Sequence, residues 1–140
     1  MKKSTAAHLY AIHHYMTQSP HVVRPDASLA QARQLMYEIK ARHLPVVDDG
    51  QLVGILSERD LLFLESLTDV DPDRIPVRSA MQTEVYGVDR DTPLDEVAAT
   101  MASSKYGSAV VWSGGSVVGI FTTVDAMRAL AATVRERTKK

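Results

Sequence analysis

Apolar residues recur along the chain in two rhythms, one of three to four residues and one of short near-continuous runs, and the order of these rhythms occurs twice. Leu29, Ala32, Met36 and Ile39 share one side of a helix, as do Leu94, Val97, Ala98 and Met101. Asp26 and Ser28 are candidate caps for the first helix; Thr92 followed by Pro93 predicts a cap and a proline at the first position of the second. Two short apolar runs follow each helix, Leu44 to Val47 with Leu52 to Leu56, then Ala109 to Trp112 with Val117 to Phe121. Each pair is bridged by a connection containing glycine, which predicts two hairpins. A further helix is expected from Ser57 to about Leu67 and another from Thr122 to about Val134, and short strands around His21 to Val23 and Tyr86 to Val88 open the two series. A three-stranded sheet with both helices on one face leaves its other face uncovered. The expected fold is therefore α+β, two β-α-β-β-α units packed sheet to sheet about a pseudo-twofold axis.

The two series are copies of one another. A shift of 65 residues lays Met16 to Leu62 on Met81 to Met127 without a gap, with twelve identities in 47 positions. The densest stretch sets Leu52-Val53-Gly54-Ile55-Leu56-Ser57 on Val117-Val118-Gly119-Ile120-Phe121-Thr122. This divides the chain into an N-terminal helical extension (1–15, with Leu9, Ile12 and Met16 on one side), a first repeat (16–68), an acidic, proline-punctuated exposed linker (69–76), a second repeat (77–134) and a basic tail (135–140).

Composition narrows the chemistry. At 140 residues and 15.4 kDa, the chain suits one core or two small halves sharing one. The absence of cysteine excludes a disulfide framework, thiolate metal sites and a cysteine nucleophile. Sixteen Lys and Arg against seventeen Asp and Glu give a net charge of -1, with no basic stripe, so nucleic acid is not an expected partner. No apolar run approaches the ~18 residues of a membrane span and no signal peptide opens the chain, which makes the cytoplasm the expected compartment and excludes a membrane role. His8, His13 and His14 lack the i, i+4 spacing of a helical metal site, and no metal is expected. The cations of the tail, Arg135, Arg137, Lys139 and Lys140, suit a solvated helix end.

Each hairpin ends in Gly-Ile-x-(Ser/Thr)-x-x-Asp: Gly54, Ile55, Ser57 and Asp60, then Gly119, Ile120, Thr122 and Asp125. One reading is a helix cap, in which the hydroxyl accepts from a first-turn amide and the acid faces the positive end of the helix. The other is a ligand site: glycine admits a ligand to the backbone, amides and hydroxyl meet a phosphate, and the carboxylate binds ribose hydroxyls. No enzymatic reading fits. Ser57 is one place late for a hydrolase elbow and lacks the following glycine, there is no phosphate-cradling Gly-x-x-x-x-Gly-Lys, and no nucleophile stands beside His43 in sequence.

These residues resemble the cystathionine-beta-synthase-type (CBS) domain, which occurs as tandem pairs. The resemblance rests on Met16-Thr17 with Pro20, Val23, Pro25-Asp26 and Leu29, on His43-Leu44-Pro45-Val46-Val47-Asp48, and on Gly54-Ile55-Leu56-Ser57-Glu58-Arg59-Asp60-Leu61. The second repeat departs from it with Gln82 after Met81, Ser108-Ala109-Val110 for His43-Leu44-Pro45, and Val124 for Arg59. The resemblance implies a regulatory module whose cleft between repeats binds AMP, ADP, ATP or S-adenosylmethionine as a regulatory ligand, with no obligatory cofactor. Asp60 and Asp125 would hold ribose, Ser57 and Thr122 would meet phosphates with Arg42, His43 and Arg59, and Pro45 completes the set. Signalling would run through altered association, as a homodimer built through the outer helices or with an unidentified protein partner; the alternative is a ligand-free scaffolding module.

Overall fold

The computed structural model describes residues 9–18, 21–67 and 69–139. Most of the expected N-terminal extension, with His8, Pro20 of the family motif and Lys140 of the tail lie outside the described residues. In chain order the elements are strand β1 (Thr17–Gln18), helix α1 (Leu29–Ile39), hairpin strands β2 (His43–Asp48) and β3 (Gln51–Ser57), helix α2 (Glu58–Glu65), strand β4 (Gly87–Asp89), helix α3 (Leu94–Ser104), hairpin strands β5 (Ser108–Ser113) and β6 (Ser116–Thr122), and helix α4 (Thr123–Thr138). Single 3₁₀ turns at Ile12–His14 and Val77–Ser79 complete the set. The fold is α+β, and two repeated β-α-β-β-α series carry it. The hairpin strands and the first helix of each series recur with the 65-residue shift, and so does the irregularity in hairpin register, between Val46 and Val47 and between Val111 and Trp112. Asp49 and Gly50 turn the first hairpin, both at positive φ (52° and 78°), the two-residue geometry that matches the twist of the flanking strands.

Contacts divide the chain into a central unit, Pro20–Val85, and a split unit made of Met1–Ser19 and Tyr86–Lys140. In the central unit Leu29, Met36, Leu44, Leu56 and Leu61 form the buried centre; in the split unit Ile12, Val97, Met101, Val111 and Phe121 do so. The split unit has a four-stranded sheet in the order β1-β6-β5-β4, with β4 parallel to β5 and β1 antiparallel to β6. The central unit keeps the same order, its outer members reduced to single bridges: Gln82 on Ile55 of β3, and Val23 on Val46 of β2.

The outermost strand is the departure from the expected units. The segment that opens the first repeat, Met16 and Thr17, pairs with the second repeat's hairpin (Thr17 on Ile120), and the segment that opens the second repeat pairs with the first repeat's hairpin (Gln82 on Ile55). This crossing explains both motif glycines. A Cβ on Gly119 would stand 2.8 Å from the carbonyl oxygen of Thr17, and one on Gly54 would stand 2.8 Å from that of Gln82. The glycines make room for a backbone, not for a ligand as the sequence suggested.

The repeat also reaches further upstream than its identities. The turns Ile12–His14 and Val77–Ser79 are 65 residues apart, and both feed a first helix: Leu94 N donates to Tyr10 O (2.7 Å) and Leu29 N to Ile75 O (2.9 Å). In the expected linker the acidic residues are exposed, but Ile75 packs against the central core and its carbonyl anchors α1. Ser28 caps α1 with a full capping box to Gln31, while Asp26 pairs with Arg24. Pro93, not Thr92, takes the cap position of α3; its ring has no acceptor to cap with, and the carbonyl of Tyr10 accepts from the next amide, Leu94 N, instead. Among the described residues no helix is long and apolar enough to cross a membrane.

Candidate functional site

At the start of α2, the backbone leaves β3 at Ser57 and turns directly into helix. Ser57 is the N-cap, its Oγ accepting from Asp60 N (3.0 Å) and donating to Asp60 Oδ2 (2.8 Å). Asp60 does not reach back to the amide of Ser57; its other oxygen, Oδ1, accepts from the side-chain amide of Gln82 (3.2 Å). The carboxylate is half-buried. Register in the hairpin sets His43 opposite Ser57, and Glu58 N donates to Arg42 O (2.8 Å), so β2 delivers Arg42 and His43 to the mouth of the helix. Arg42, His43, Ser57, Glu58, Arg59 and Leu62 line an open pocket of about 330 Å³. A larger groove of about 780 Å³ shares Arg42, Glu58 and Leu62 and runs between α1 and α2.

Two arginines, Arg42 and Arg59, and two acids, Glu58 and Asp60, set the charge around this pocket. Arg59 is exposed and makes no ion pair among the described residues; Arg42 sits 4.0 Å from Glu58. Burial pushes the His43 imidazolium below its ordinary pKa, opposed by the carboxylate of Asp60 and reinforced by Arg42, so the ring is neutral near pH 7.

The equivalent site in the split unit is built differently. Thr122 caps α4, and Asp125 closes the box: Thr122 N donates to Asp125 Oδ2 (2.9 Å). Thr17 Oγ1 donates to Oδ1 (3.2 Å), Thr122 Oγ1 to Oδ2 (3.2 Å), and Arg128 Nη1 reaches Oδ1 at 3.4 Å. Asp125 is 5% exposed, a buried carboxylate whose acceptor positions are already used. Val124, where the central unit has Arg59, is an exposed apolar residue.

The sequence-predicted residues therefore fall into three places. Arg42, His43, Ser57 and Arg59 come together around one pocket, with Asp60 bound to Ser57 beside it. Thr122 and Asp125 lie in the split unit. Pro45 is fully buried in β2, its carbonyl accepting from Val23 N (3.0 Å), and does not line the pocket. Among the described residues no group of three or more His, Cys, Asp or Glu is placed to hold a metal ion.

The profile of the CBS domain matches residues 12–66 and 77–132, starting points that are again 65 residues apart. The chain belongs to the CBS domain family. Among its CBS relatives, the chloroplastic CBS domain-containing protein CBSX2 of Arabidopsis thaliana is 32% identical over 160 residues, covering 91% of this chain and 66% of that protein. A solved structure of CBSX2 in complex with AMP superposes with a TM-score of 0.76 at 30% identity, over 90% of this chain and 98% of the other. A hexameric CBS-CP12 protein from bloom-forming cyanobacteria superposes with a TM-score of 0.75 at 27% identity, over 84% of this chain and 66% of the other.

Sequence reasoning passed over three residues that touch the site carboxylates: Gln82, its counterpart Thr17, and Arg128. The 65-residue register sets Thr17 on Gln82, and that was the available signal. It lacked the crossing of the strands, which hands each residue to the other repeat's aspartate.

Proposed function

We propose that this CBS pair is a regulatory module that binds an adenosine-containing ligand, AMP, ADP, ATP or S-adenosylmethionine, at the pocket of the central unit. The observation that carries the reading is the state of Asp60. Its carboxylate is half-buried, accepts among the described residues from two side chains, and leaves the amide of Ser57 alone, whereas a mere capping acid would bind that amide as Asp125 does. Asp60 then takes the ribose hydroxyls, and Ser57, Arg42, Arg59 and His43 take the phosphates, the arginines because their planar forks grip a phosphate oxygen pair. AMP bound to CBSX2 supports the class of ligand. Binding rather than catalysis is the role, since the pocket offers no nucleophile beside His43 other than a serine engaged in capping.

Thr122 and Asp125 fit the scaffolding alternative better, because hydrogen bonds within the unit consume the carboxylate. A single ligand site per chain follows. Association through the helices supplies the output: Leu62 and Phe63 of α2 and Val124, Met127 and Leu130 of α4 are exposed, Phe63 by 68% and Met127 by 64%. The hexameric assembly of a structural neighbour is in keeping with such association. A homodimer is the expected state, seen in sedimentation as about twice 15.4 kDa.

Calorimetric titration with adenosine, AMP, ADP, ATP and S-adenosylmethionine tests the assignment. Asp60→Ala should weaken the ligand that binds by about 1 to 3 kcal/mol, the worth of charge-assisted hydrogen bonds to a carboxylate. Asp125→Ala should leave affinity unchanged. Unaltered affinity in Asp60→Ala overturns the ribose assignment.

A further inference from the structure

We propose that Gln82 occupies Asp60 as an internal stand-in for the ligand's vicinal hydroxyls, so that ligand entry displaces its side-chain amide and thereby reports occupancy to the crossing segment. The inference rests on the binding reading above and adds a residue and a signal to it.

Asp60 has two carboxylate oxygens, and both are engaged. Ser57 Oγ holds Oδ2 at 2.8 Å as part of the helix cap, and Gln82 Nε2 holds Oδ1 at 3.2 Å. A vicinal diol donates one hydrogen bond to each oxygen of a carboxylate, and on Oδ1 it competes with Gln82 Nε2. The cap bond is the shorter and belongs to the start of α2; the Gln82 bond is longer, and its donor is an exposed side chain. Gln82 is the group that yields.

Its backbone stays in place when the side chain leaves. Gln82 N donates to Ile55 O and Ile55 N donates to Gln82 O, both at 2.9 Å, which fixes the residue on β3 while the amide swings out. The residue is also well placed to transmit the change. It follows Met81, whose side chain lies where a Cβ on Gly54 would stand, and the turn Val77–Ser79, whose Val77 is buried in the central core. In the split unit the counterpart Thr17 shares Asp125 with a backbone amide and Arg128, so no single group can be exchanged there.

The probe is AMP, titrated into the full chain labelled with ¹⁵N, with the Gln82 side-chain amide signal identified by its loss in Gln82→Ala. The expected result is that AMP moves that signal, and that Gln82→Ala, freed of its internal competitor, binds AMP about three- to tenfold tighter than the unchanged chain. AMP binding with a stationary Gln82 signal and an affinity in Gln82→Ala within about twofold of the original overturns the exchange while leaving the binding reading intact. No AMP binding by either chain, in a titration that also covers the other adenosine ligands, overturns the binding reading and the exchange with it.

Discussion

Asp60 and Asp125 stand at the same step of the repeat, three residues into a helix that leaves the second strand of a hairpin, and each has a hydroxyl residue at the cap. Asp60 is half-buried with two side-chain donors beside a pocket lined by two arginines and a histidine. Asp125 is buried and held by Thr17, Thr122 and Arg128. The difference lies outside the shared motif. Where the central unit has Gln82, Arg59 and Phe63, the split unit has Thr17, Val124 and Arg128, so the cation has moved from just before the aspartate to one turn after it, where it neutralises the acid instead of facing the pocket. A hydroxyl and an acid at a helix start are thus compatible with a cap or with a site, and the neighbours decide which.

The sharpest way to break the comparison is in the split unit. Gly119→Ala should destabilise the protein by about 1 to 3 kcal/mol, since a Cβ there would stand 2.8 Å from the backbone carbonyl oxygen of Thr17 and against the Met16 side chain. Asp125→Ala should cost a similar amount, about 1 to 3 kcal/mol, by orphaning the amide of Thr122 and the hydroxyl of Thr17. Urea denaturation measures both. If Asp60→Ala costs as much stability as Asp125→Ala, the two aspartates are equivalent caps and the contrast fails.

A smaller effect separates phosphate from nucleoside recognition. Arg59→Ala and Arg42→Ala should each weaken AMP by about 1 kcal/mol or more while leaving adenosine nearly unchanged. Equal losses for both ligands in calorimetry would mean that the arginines do not read phosphate.

The smallest is a pH dependence centred on His43. Because its pKa in the folded chain lies below the ordinary value of 6.5, the unfolded chain binds the proton more readily, and stability rises with pH up to about that value and is flat with respect to this group above it. Falling from pH 7.5 toward 5.5 should therefore cost stability that His43→Gln does not lose. A bound phosphate favours the protonated ring, so AMP should bind more tightly at pH 6 than at pH 8 relative to adenosine, with proton uptake in calorimetry. Proton uptake unchanged in His43→Gln would remove the histidine from the site.

Much of this was legible in the chain. The apolar rhythms gave both hairpins and the helices that flank them, because local burial patterns dictate those elements. The cluster of Arg42, His43, Ser57 and Arg59 was implied by the resemblance to CBS domains, and the hairpin register that sets His43 opposite Ser57 is what brings it together. The strand exchange was not readable: a two-residue strand such as Thr17–Gln18 has no periodicity to detect, and its partner lies about a hundred residues away. Pro45, a residue of the family motif, is fully buried and is not among the residues that line the pocket at the start of α2.

The split unit has a consequence for synthesis. Residues 20–85 are contiguous, so the central unit has all its partners once the ribosome has released them, whereas β1 is made early and its acceptor β6 about a hundred residues later. At about 5 to 20 residues per second, the Thr17 edge waits some seconds with its hydrogen-bonding groups open to solvent and to other chains. Nascent-chain stalling far enough beyond residue 85 for that residue to clear the exit tunnel should therefore yield a protease-resistant central fragment with residues 9–18 still open to cleavage. Resistance of residues 9–18 should arise only when the second hairpin has emerged.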